Sequence, residues 1–540
     1  MARERFGWDE LRPEQATAMR ALMAGRDALV VAPTGGGKSA IYQVPGVLLD
    51  GPTLVVSPLL ALQYDQIAAL LGRGDEALAA IRLSSVDGAA AQREALDRLQ
   101  SGSVEYVFVT PEQLADRDRL AAIRKAAPGL IAVDEAHCIS AWGYDFRPDF
   151  LHLGRAIEEL GHPPVVALTA TASPPVRDDI VARLRLRDPE LVVTGLDRPN
   201  VFLEAVQCVD AEQRWQRLLG RLRASEPPGI VYVPTRRLAE DLAARLDTEG
   251  LPATAYHGGL PARERSRRHL AFLADNVPIM VATNAFGMGI DKPNIRWVNH
   301  MSLPDSPDSY LQEIGRAGRD GESAQALLLF RTEDTGLRKF FTGGTPAVDD
   351  LARLAAALGP QPATRAALRE ATGLGPRKLG EQLALLEEVG AAVAGRGGRW
   401  RSAPFAPDPA EAARAAVAQA ERRQVVQRSR LDMMRTLAET FGCRGRALLS
   451  YFGEHLGGRC GHCDNCLSGR AEAVDDDAGE GPFPVNGRVT HAGWGDGIVL
   501  RYEGEQMTVL FDQVGYKTLS VPVVAEQGLL ARAVLPRQGR

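Results

Sequence analysis

Lysine is nearly missing from this 540-residue chain. Six of its 63 basic residues are lysine, at positions 38, 125, 292, 339, 378 and 517, and the rest are arginine. Against that background a lysine inside a glycine-rich loop is hard to ascribe to chance. An excess of positive charge is missing too. The 63 Lys and Arg face 68 Asp and Glu, for a formal net charge of −5, so the chain as a whole does not advertise a nucleic-acid partner. No apolar run approaches the ~20 residues a membrane helix needs. Residues 1–9 are charged and carry no apolar signal core. The expectation is a cytoplasmic protein without membrane association. Cysteine is sparse, with six in all. Cys138 and Cys208 read as buried thiols. Cys443, Cys460, Cys463 and Cys466 fall within 24 residues, which excludes a dispersed disulfide framework and points to metal binding.

What is present is ordinary globular composition, 45% hydrophobic and 24% charged, in a chain long enough for several domains. Residues 1–195 alternate helical patterns with short runs rich in Val, Ile and Leu: Ala28–Ala32, Thr53–Ser57, Tyr106–Thr110, Leu130–Val133 and Val165–Thr169. Such runs predict a parallel sheet buried between helices. Residues 196–344 repeat the scheme at Gly229–Val233, Ala253–His257, Pro278–Thr283, Arg296–His300 and Ala326–Phe330. The fold class is therefore α/β, with two such domains in tandem.

Residues 345–407 change character. Three short helices, Leu351–Leu358, Arg365–Thr372 and Gly375–Val389, precede a ribbon at Ala391–Arg401. This order fits a winged helix, with a small helical linker domain as the rival. Arg377 and Lys378 open its third helix. Residues 408–470 predict one or two helices and then the cysteines. Between Arg414 and Arg446 lie eight arginines and three acids, either a basic patch or a solvated helix face. Residues 471–484 are acidic and apolar-poor and predict a linker. Residues 485–540 predict a small β-barrel, separate from the rest, with strands near Val489, Ile498–Tyr502 and Thr508–Phe511.

Four constellations carry chemistry. Ala32–Ser39 (APTGGGKS) sits between an apolar run and a helical pattern. Thr34, Gly35, Gly36 and Gly37 form a loop whose N–H groups can close on phosphate oxygens, Lys38 reaches the β/γ-phosphates, and Ser39 offers a hydroxyl to Mg²⁺. Asp134 and Glu135 end the run Leu130–Val133; Asp134 would hold Mg²⁺ and Glu135 would orient or deprotonate a water. In Gln312–Arg319 (QEIGRAGR), Arg316 and Arg319 are placed to stabilise charge on a transferred phosphoryl group across the domain gap. Cys443, Cys460, Cys463 and Cys466, with gaps of sixteen, two and two residues, suit a closed tetrahedral structural Zn²⁺ site, an iron–sulfur cluster being the rival.

Together these motifs resemble the superfamily 2 helicases, and within them the RecQ family, over about Phe6 to Cys466. Phe6–Gln15 (FGWDELRPEQ) is similar to the family's adenine-reading motif, which implies that Gln15 bonds the adenine edge while Trp8 and Arg12 sandwich the ring. Ser57–Gln66, Thr110–Leu114, Ala167–Ala172 and Val281–Arg296 resemble segments that contact DNA or couple it to nucleotide. Asp134–Pro148 (DEAHCISAWGYDFRP) resembles the aromatic-rich loop of the family. That likeness implies that Trp142, Phe146 and Arg147 sense single-stranded DNA, bases stacking on aromatic and guanidinium faces, and signal to the ATP site through His137. Tyr451–Glu454 (YFGE) and Cys463–Cys466 (CDNC) resemble the RecQ zinc module.

The resemblance implies two RecA-like lobes clamping ATP and Mg²⁺, a structural Zn²⁺, 3′-to-5′ movement on single-stranded DNA and unwinding of tailed duplexes in repair or recombination. The setting would be the nucleoid of a bacterial cytoplasm. An RNA helicase is one alternative, and a DNA-stimulated translocase that recruits partners through its C-terminal barrel is another. Two features depart from the family. The winged-helix-like segment precedes the zinc module, whereas in typical relatives it follows. Gly487–Leu519 resembles the small barrel at the C-terminus of UvrD-type helicases, which implies a protein partner such as RNA polymerase or a repair factor.

Overall fold

In the computed structural model, the described residues are 2–33, 35–58, 60–75, 78–84, 88–114, 116–140, 148–287, 292–334, 344–395, 398–454, 456–472, 481–485 and 487–532. The first lobe is a seven-stranded sheet of β1 (Ala28–Val31), β2 (Thr53–Val56), β3 (Ala80–Leu83), β4 (Tyr106–Val109), β5 (Leu130–Val133), β6 (Val165–Thr169) and β7 (Glu190–Val193). Its order is β3-β4-β2-β5-β6-β1-β7 and all its pairings are parallel. The second lobe holds β8 (Val201–Gln207), β9 (Gly229–Tyr232), β10 (Ala253–Tyr256), β11 (Ile279–Ala282), β12 (Trp297–His300) and β13 (Ala324–Phe330), in the order β10-β11-β9-β12-β13-β8 and again parallel. Strands buried on both faces read as continuous apolar runs, as β1, β2, β4, β5, β6, β9 and β11 do: every residue in them is buried. The strands that sequence reading missed here, β3, β7 and β8, all lie at sheet edges, where polar residues such as Arg82, Glu190 and Glu204 interrupt the run.

The order of the first sheet sets β5, β6 and β1 side by side. The loops leaving their carboxyl ends therefore converge, where ligands bind in open α/β sheets.

Residues 345–407 fold as expected. Helices Val348–Ala357, Arg365–Thr372 and Pro376–Glu388 are followed by the antiparallel ribbon of β14 (Ala392–Ala394) and β15 (Trp400–Ser402), with Ala363 bridged to Trp400. The helices pack around Leu351, Leu354, Leu368, Leu379 and Leu383, with Trp400 closing one side. Arg377 is 93% exposed and pairs with Glu381, and Lys378 pairs with Asp350.

The zinc region opens with one 31-residue helix, Pro409–Glu439, about 46 Å long at 1.5 Å per residue. Beyond it, the loop through His462 and Cys463 lies along the outer edge of the second sheet. Leu203 N–H donates to His462 O (2.9 Å), and Leu203 and Cys463 form a parallel bridge. An edge strand that would otherwise expose its backbone groups is thereby covered.

The tail is a five-stranded antiparallel sheet of β16 (Arg488–His491), β17 (Gly495–Glu503), β18 (Gln506–Phe511), β19 (Gly515–Ser520) and β20 (Leu530–Arg532), in the order β19-β18-β17-β16-β20. It curls around Val489, Val499, Met507, Val509 and Phe511. It does not stand apart as expected, because Ile498, Leu500, Leu510 and Tyr516 join the core cluster of the lobes and zinc region. Residues 473–480 of the expected linker lie outside the described residues, and Ala471, at its start, is buried.

Gly229 begins β9 with its α-carbon against the indole of Trp297, so a Cβ there would collide with the ring. Gly229→Ala is expected to lower stability by about 1–3 kcal/mol through overpacking, read as a lower midpoint in urea or thermal unfolding. An unchanged midpoint would show that the ring can yield.

Candidate ATP site and zinc centre

The glycine-rich loop leaves β1 and enters the helix Ala40–Gly46. Gly35 and Gly37 have φ of +81° and +70°, a region that side-chain-bearing residues rarely adopt. A Cβ on Gly37 would lie 2.6 Å from Gln15 Nε2, so the loop also needs glycine for close approach. Lys38 Nζ folds onto the loop's own carbonyls, donating to Ala32 O (2.8 Å) and Pro33 O (3.2 Å). Burial pushes the Lys38 ammonium below its ordinary value, the carboxylates of Glu135 and Asp134 oppose this, and Arg319 adds to it.

Gln15 Nε2 donates to Gly37 O (3.0 Å) and Gly36 O (3.3 Å), and its Oε1 accepts from Arg12 N–H (2.9 Å). Its amide is thus bonded to the phosphate loop. Trp8 stacks on Phe6 with centroids 4.8 Å apart and planes 9° apart, beside the Arg73 guanidinium. The Arg12 side chain is exposed. Ser39 precedes the Ala40–Gly46 helix without a side-chain cap bond, and Thr34 lies outside the described residues.

Asp134 leaves β5 only 8% exposed. Its Oδ1 accepts the N–H of Glu135 at 3.0 Å. Its carboxyl is raised to about 7, by burial first and the neighbouring Glu135 second, while Lys38 and the Glu135 N–H act the other way. Glu135 has φ of +50°, a conformation that costs a non-glycine residue energy and is typical of functional sites. His137 links this pair to β6: its Nδ1 lies 2.9 Å from Thr169 Oγ1 and 3.4 Å from Glu135 Oε2. Thr169 Oγ1 in turn donates to Thr171 O and accepts from Thr171 N–H. The segment Ala167–Ala172 was expected to couple sites, but Thr169 as the partner of His137 had no signal in sequence. Trp142, Phe146 and Arg147, expected to meet DNA, lie outside the described residues, as do residues 288–291 of the segment Val281–Arg296.

The second lobe contributes the two arginines, and they are placed differently. The Arg319 side chain crosses to the phosphate loop: a Cβ on Gly35 would lie 3.9 Å from its Cγ and Cδ. Arg316 is buried within its own lobe, hydrogen-bonded to Tyr232 and with Nη2 3.8 Å from a Cβ built on Gly287.

The four cysteines meet as the spacing predicted. Their Sγ atoms lie within 4.8 Å of one another, Cys460 and Cys466 being 3.9 Å apart. A tetrahedron with Zn–S of about 2.3 Å has edges of about 3.8 Å, so four thiolates here fit zinc and leave no open position. Cys443 Sγ also accepts N–H bonds from Cys460 (3.1 Å) and Arg446 (3.4 Å). Gly445 is required at this point, because a Cβ there would lie 2.6 Å from Cys460 Cβ. His462, which the sequence did not single out, ties the centre to the second lobe through Val201 O and Asp197 Oδ1, both at 3.0 Å.

Two stacked parallel-sheet lobes with a phosphate loop on one and an arginine from the other at that loop define a helicase-type nucleotide motor. Residues 12–180 match the DEAD/DEAH box helicase family, 211–321 the helicase conserved C-terminal domain and 410–467 the RecQ zinc-binding domain. The chain is 38% identical over 335 residues to the probable ATP-dependent DNA helicase RecS of Bacillus subtilis, covering 62% of this chain and 67% of that protein. It is 34% identical over 462 residues to the ATP-dependent DNA helicase RecQ of Haemophilus influenzae, covering 86% and 62%. With the RecQ of Pasteurella multocida it shares 40% identity over 330 residues, 61% of this chain and 51% of that one. The chain belongs to the RecQ family of ATP-dependent DNA helicases, and spans about half to two-thirds of the length of these relatives. Among solved structures, the Mycobacterium smegmatis helicase Lhr bound to single-stranded DNA and AMP-PNP superposes with a TM-score of 0.50 at 24% identity, over 78% of this chain and 61% of that one, which shows the shared fold.

Two outcomes follow. Because the folded Asp134 carboxyl titrates near 7 against 3.8 unfolded, the native chain holds an extra proton between those values, and the cost of ionising Asp134 grows as pH rises through that window. Asp134→Asn is therefore expected to stabilise the ligand-free protein at pH 8, on the order of 2–4 kcal/mol, and hardly at all at pH 4, while abolishing ATP hydrolysis. Equal melting shifts at both pH values would refute this. Second, Cys463→Ser is expected to abolish zinc retention and to lower the melting temperature, since Cys463 is buried and its loop covers β8. One zinc per chain retained in the variant would contradict the four-thiolate assignment.

Proposed function

We propose that this chain is a DNA motor that hydrolyses ATP, moves 3′ to 5′ along single-stranded DNA and unwinds tailed duplexes in repair or recombination. The observation that carries this reading is Arg319 of the second lobe lying against Gly35 of the first. A phosphate site assembled from two lobes makes hydrolysis depend on lobe closure, and cyclic closure is what moves a strand. The relatives named as DNA helicases support DNA over RNA as the track.

At the nucleotide, Lys38 leaves its loop carbonyls for the β/γ-phosphates, and Ser39 and Asp134 hold Mg²⁺, which neutralises phosphate charge when bound. Glu135 holds the proton of the attacking water, oriented by His137, which Thr169 of β6 holds in turn. Arg319 meets the charge that develops on the transferred group, Arg316 completes the second lobe's contribution, and Gln15 with Trp8 and Arg12 receives the base. Zn²⁺ is structural. Trp142, Phe146 and Arg147 stack on unpaired bases and report through His137. The winged-helix-like segment, with Arg377 at the head of its third helix, grips the duplex ahead, and the tail offers a surface to RNA polymerase or a repair factor. The alternative, a DNA-stimulated translocase that recruits partners through this tail without unwinding, is not favoured, because the relatives are named as DNA helicases. The nucleoid is the site of action.

Strand displacement on duplexes with either a 3′ or a 5′ single-stranded tail tests the reading, with ATP and Mg²⁺ beside a Lys38→Ala control. Displacement of the 3′-tailed duplex alone, absent in the control, is expected. Preference for the 5′ tail would reverse the polarity, and ATP hydrolysis stimulated by RNA but not by DNA would replace the substrate.

A further inference from the structure

Helix Pro307–Ile314 ends two residues before Arg316 and five before Arg319, and all eight of its residues are buried. Its amino end is already capped. Ser306 Oγ accepts the N–H of Ser309 at 3.1 Å, and Asp305 Oδ1 accepts the Ser309 hydroxyl. The carboxylate of Asp308 is therefore not needed as a cap. It points out of the lobe instead, where Oδ2 accepts from Arg430 Nη2 at 2.8 Å and from the Tyr451 hydroxyl at 2.5 Å. Arg430 Nε also donates to the Tyr451 hydroxyl, at 3.3 Å. Arg430 belongs to the long helix Pro409–Glu439 and Tyr451 to the helix Arg444–Tyr451 that follows Cys443. The ring of Tyr451 stacks on Tyr516 of the tail strand β19, with centroids 4.9 Å apart and planes 20° apart.

All four side chains are nearly closed to solvent, from Asp308 and Tyr451 at 2% to Tyr516 at 6%. The tail strand is held tightly there: Gly515, with φ of +70°, leaves no room for a Cβ beside Ser429 of the long helix. At the other end of the short helix, Glu313 Oε2 lies 2.8 Å from His300 Nε2, and His300 stacks on Tyr232, the partner of Arg316. One end of a rod about 12 Å long is thus fastened to the zinc region and tail, and the other carries the arginines.

A buried ion pair is weak evidence for stability, because desolvation offsets much of the attraction. What such a pair does supply is a fixed geometry. We propose that Asp308, Arg430, Tyr451 and Tyr516 form a buried latch through which the zinc region and the tail sheet set the position of the arginine-bearing helix, which makes Arg430 a positioning residue for ATP hydrolysis. The tail, remote in sequence from both lobes, then acts on turnover through Tyr516. This inference rests on the reading of the chain as an ATP-driven motor.

The test uses the full zinc-loaded chain and steady-state ATP hydrolysis with single-stranded DNA, for the unmodified protein, Arg430→Gln, Asp308→Asn/Arg430→Gln and Tyr516→Leu. Misplacing a catalytic group by about 1 Å can cost up to about a hundredfold in rate, so Arg430→Gln is expected to lower kcat by about tenfold or more. KM for ATP should stay within about twofold and zinc content should be unchanged, since binding and metal are untouched. The double variant removes both charges together and should recover most of kcat. Tyr516→Leu should lower kcat less, again at constant KM. A folded Arg430→Gln protein with unchanged kcat and only a lower melting temperature would overturn the proposal, because the pair would then be structural. If Arg430→Gln does not fold, Tyr516→Leu decides: reduced kcat at constant KM supports the latch, and unchanged kcat overturns it. An unmodified chain that hydrolyses no ATP would defeat the motor reading itself, a result distinct from either.

Discussion

The contact of Arg319 with the phosphate loop at Gly35 is the constraint on which the rest of the molecule depends. Neither lobe holds a complete site. In the proposed motor the first would supply Lys38, Asp134, Glu135 and the loop backbone, and the second the arginines. A site divided in this way does chemistry only when the two bodies meet at the right distance, so each other device can be understood by how it sets that distance. Within the first lobe, the neighbouring order of β5, β6 and β1 brings Asp134, Thr169 and the loop together. His137 then ties Glu135 to Thr169, so a shift of β6 is felt at the Glu135 carboxylate.

The glycine-rich loop is braced by the protein's own polar groups. Lys38 is bonded to the carbonyls of Ala32 and Pro33, and Gln15 to those of Gly36 and Gly37, so both side chains are held on the loop. Asp134 holds its proton up to about 7 because burial disfavours the charge. Burial of this kind strengthens each electrostatic contact made beside it. The strain at Glu135, with φ of +50°, belongs to the same economy of position.

Outside the lobes, the zinc region acts as a frame. It covers the open edge of β8 through Cys463 and His462, reaches the first lobe where Arg177 donates to Phe452 O, and carries the tail on Tyr451. Glu454, beside it, accepts the N–H of Leu196 at the lobe junction. Zinc is suited to this role because four thiolates satisfy it fully and leave nothing for substrate.

Much of this was legible in the residues. Local patterns depend on neighbours close in sequence: the apolar runs of central strands, the glycine-rich loop with Lys38, the carboxylates after β5, the cysteine spacing, and the three helices and ribbon of residues 345–407 all declare themselves within a few residues. Three edge strands did not, because a strand with one open side need not be apolar throughout, and β3, β7 and β8 carry polar residues, whereas the edge strand β10 was legible. The docking of the tail was illegible for a related reason, since an acidic stretch after residue 470 suggests separation and nothing near Tyr516 announces Tyr451. By itself the sequence determined the two parallel-sheet lobes with their motifs and the metal-binding spacing of the cysteines. Only the tertiary structure decided that Arg319 rather than Arg316 reaches the loop, that Thr169 holds His137, and that Asp308 pairs with Arg430, because each joins residues from separate elements whose meeting is set by how those elements pack.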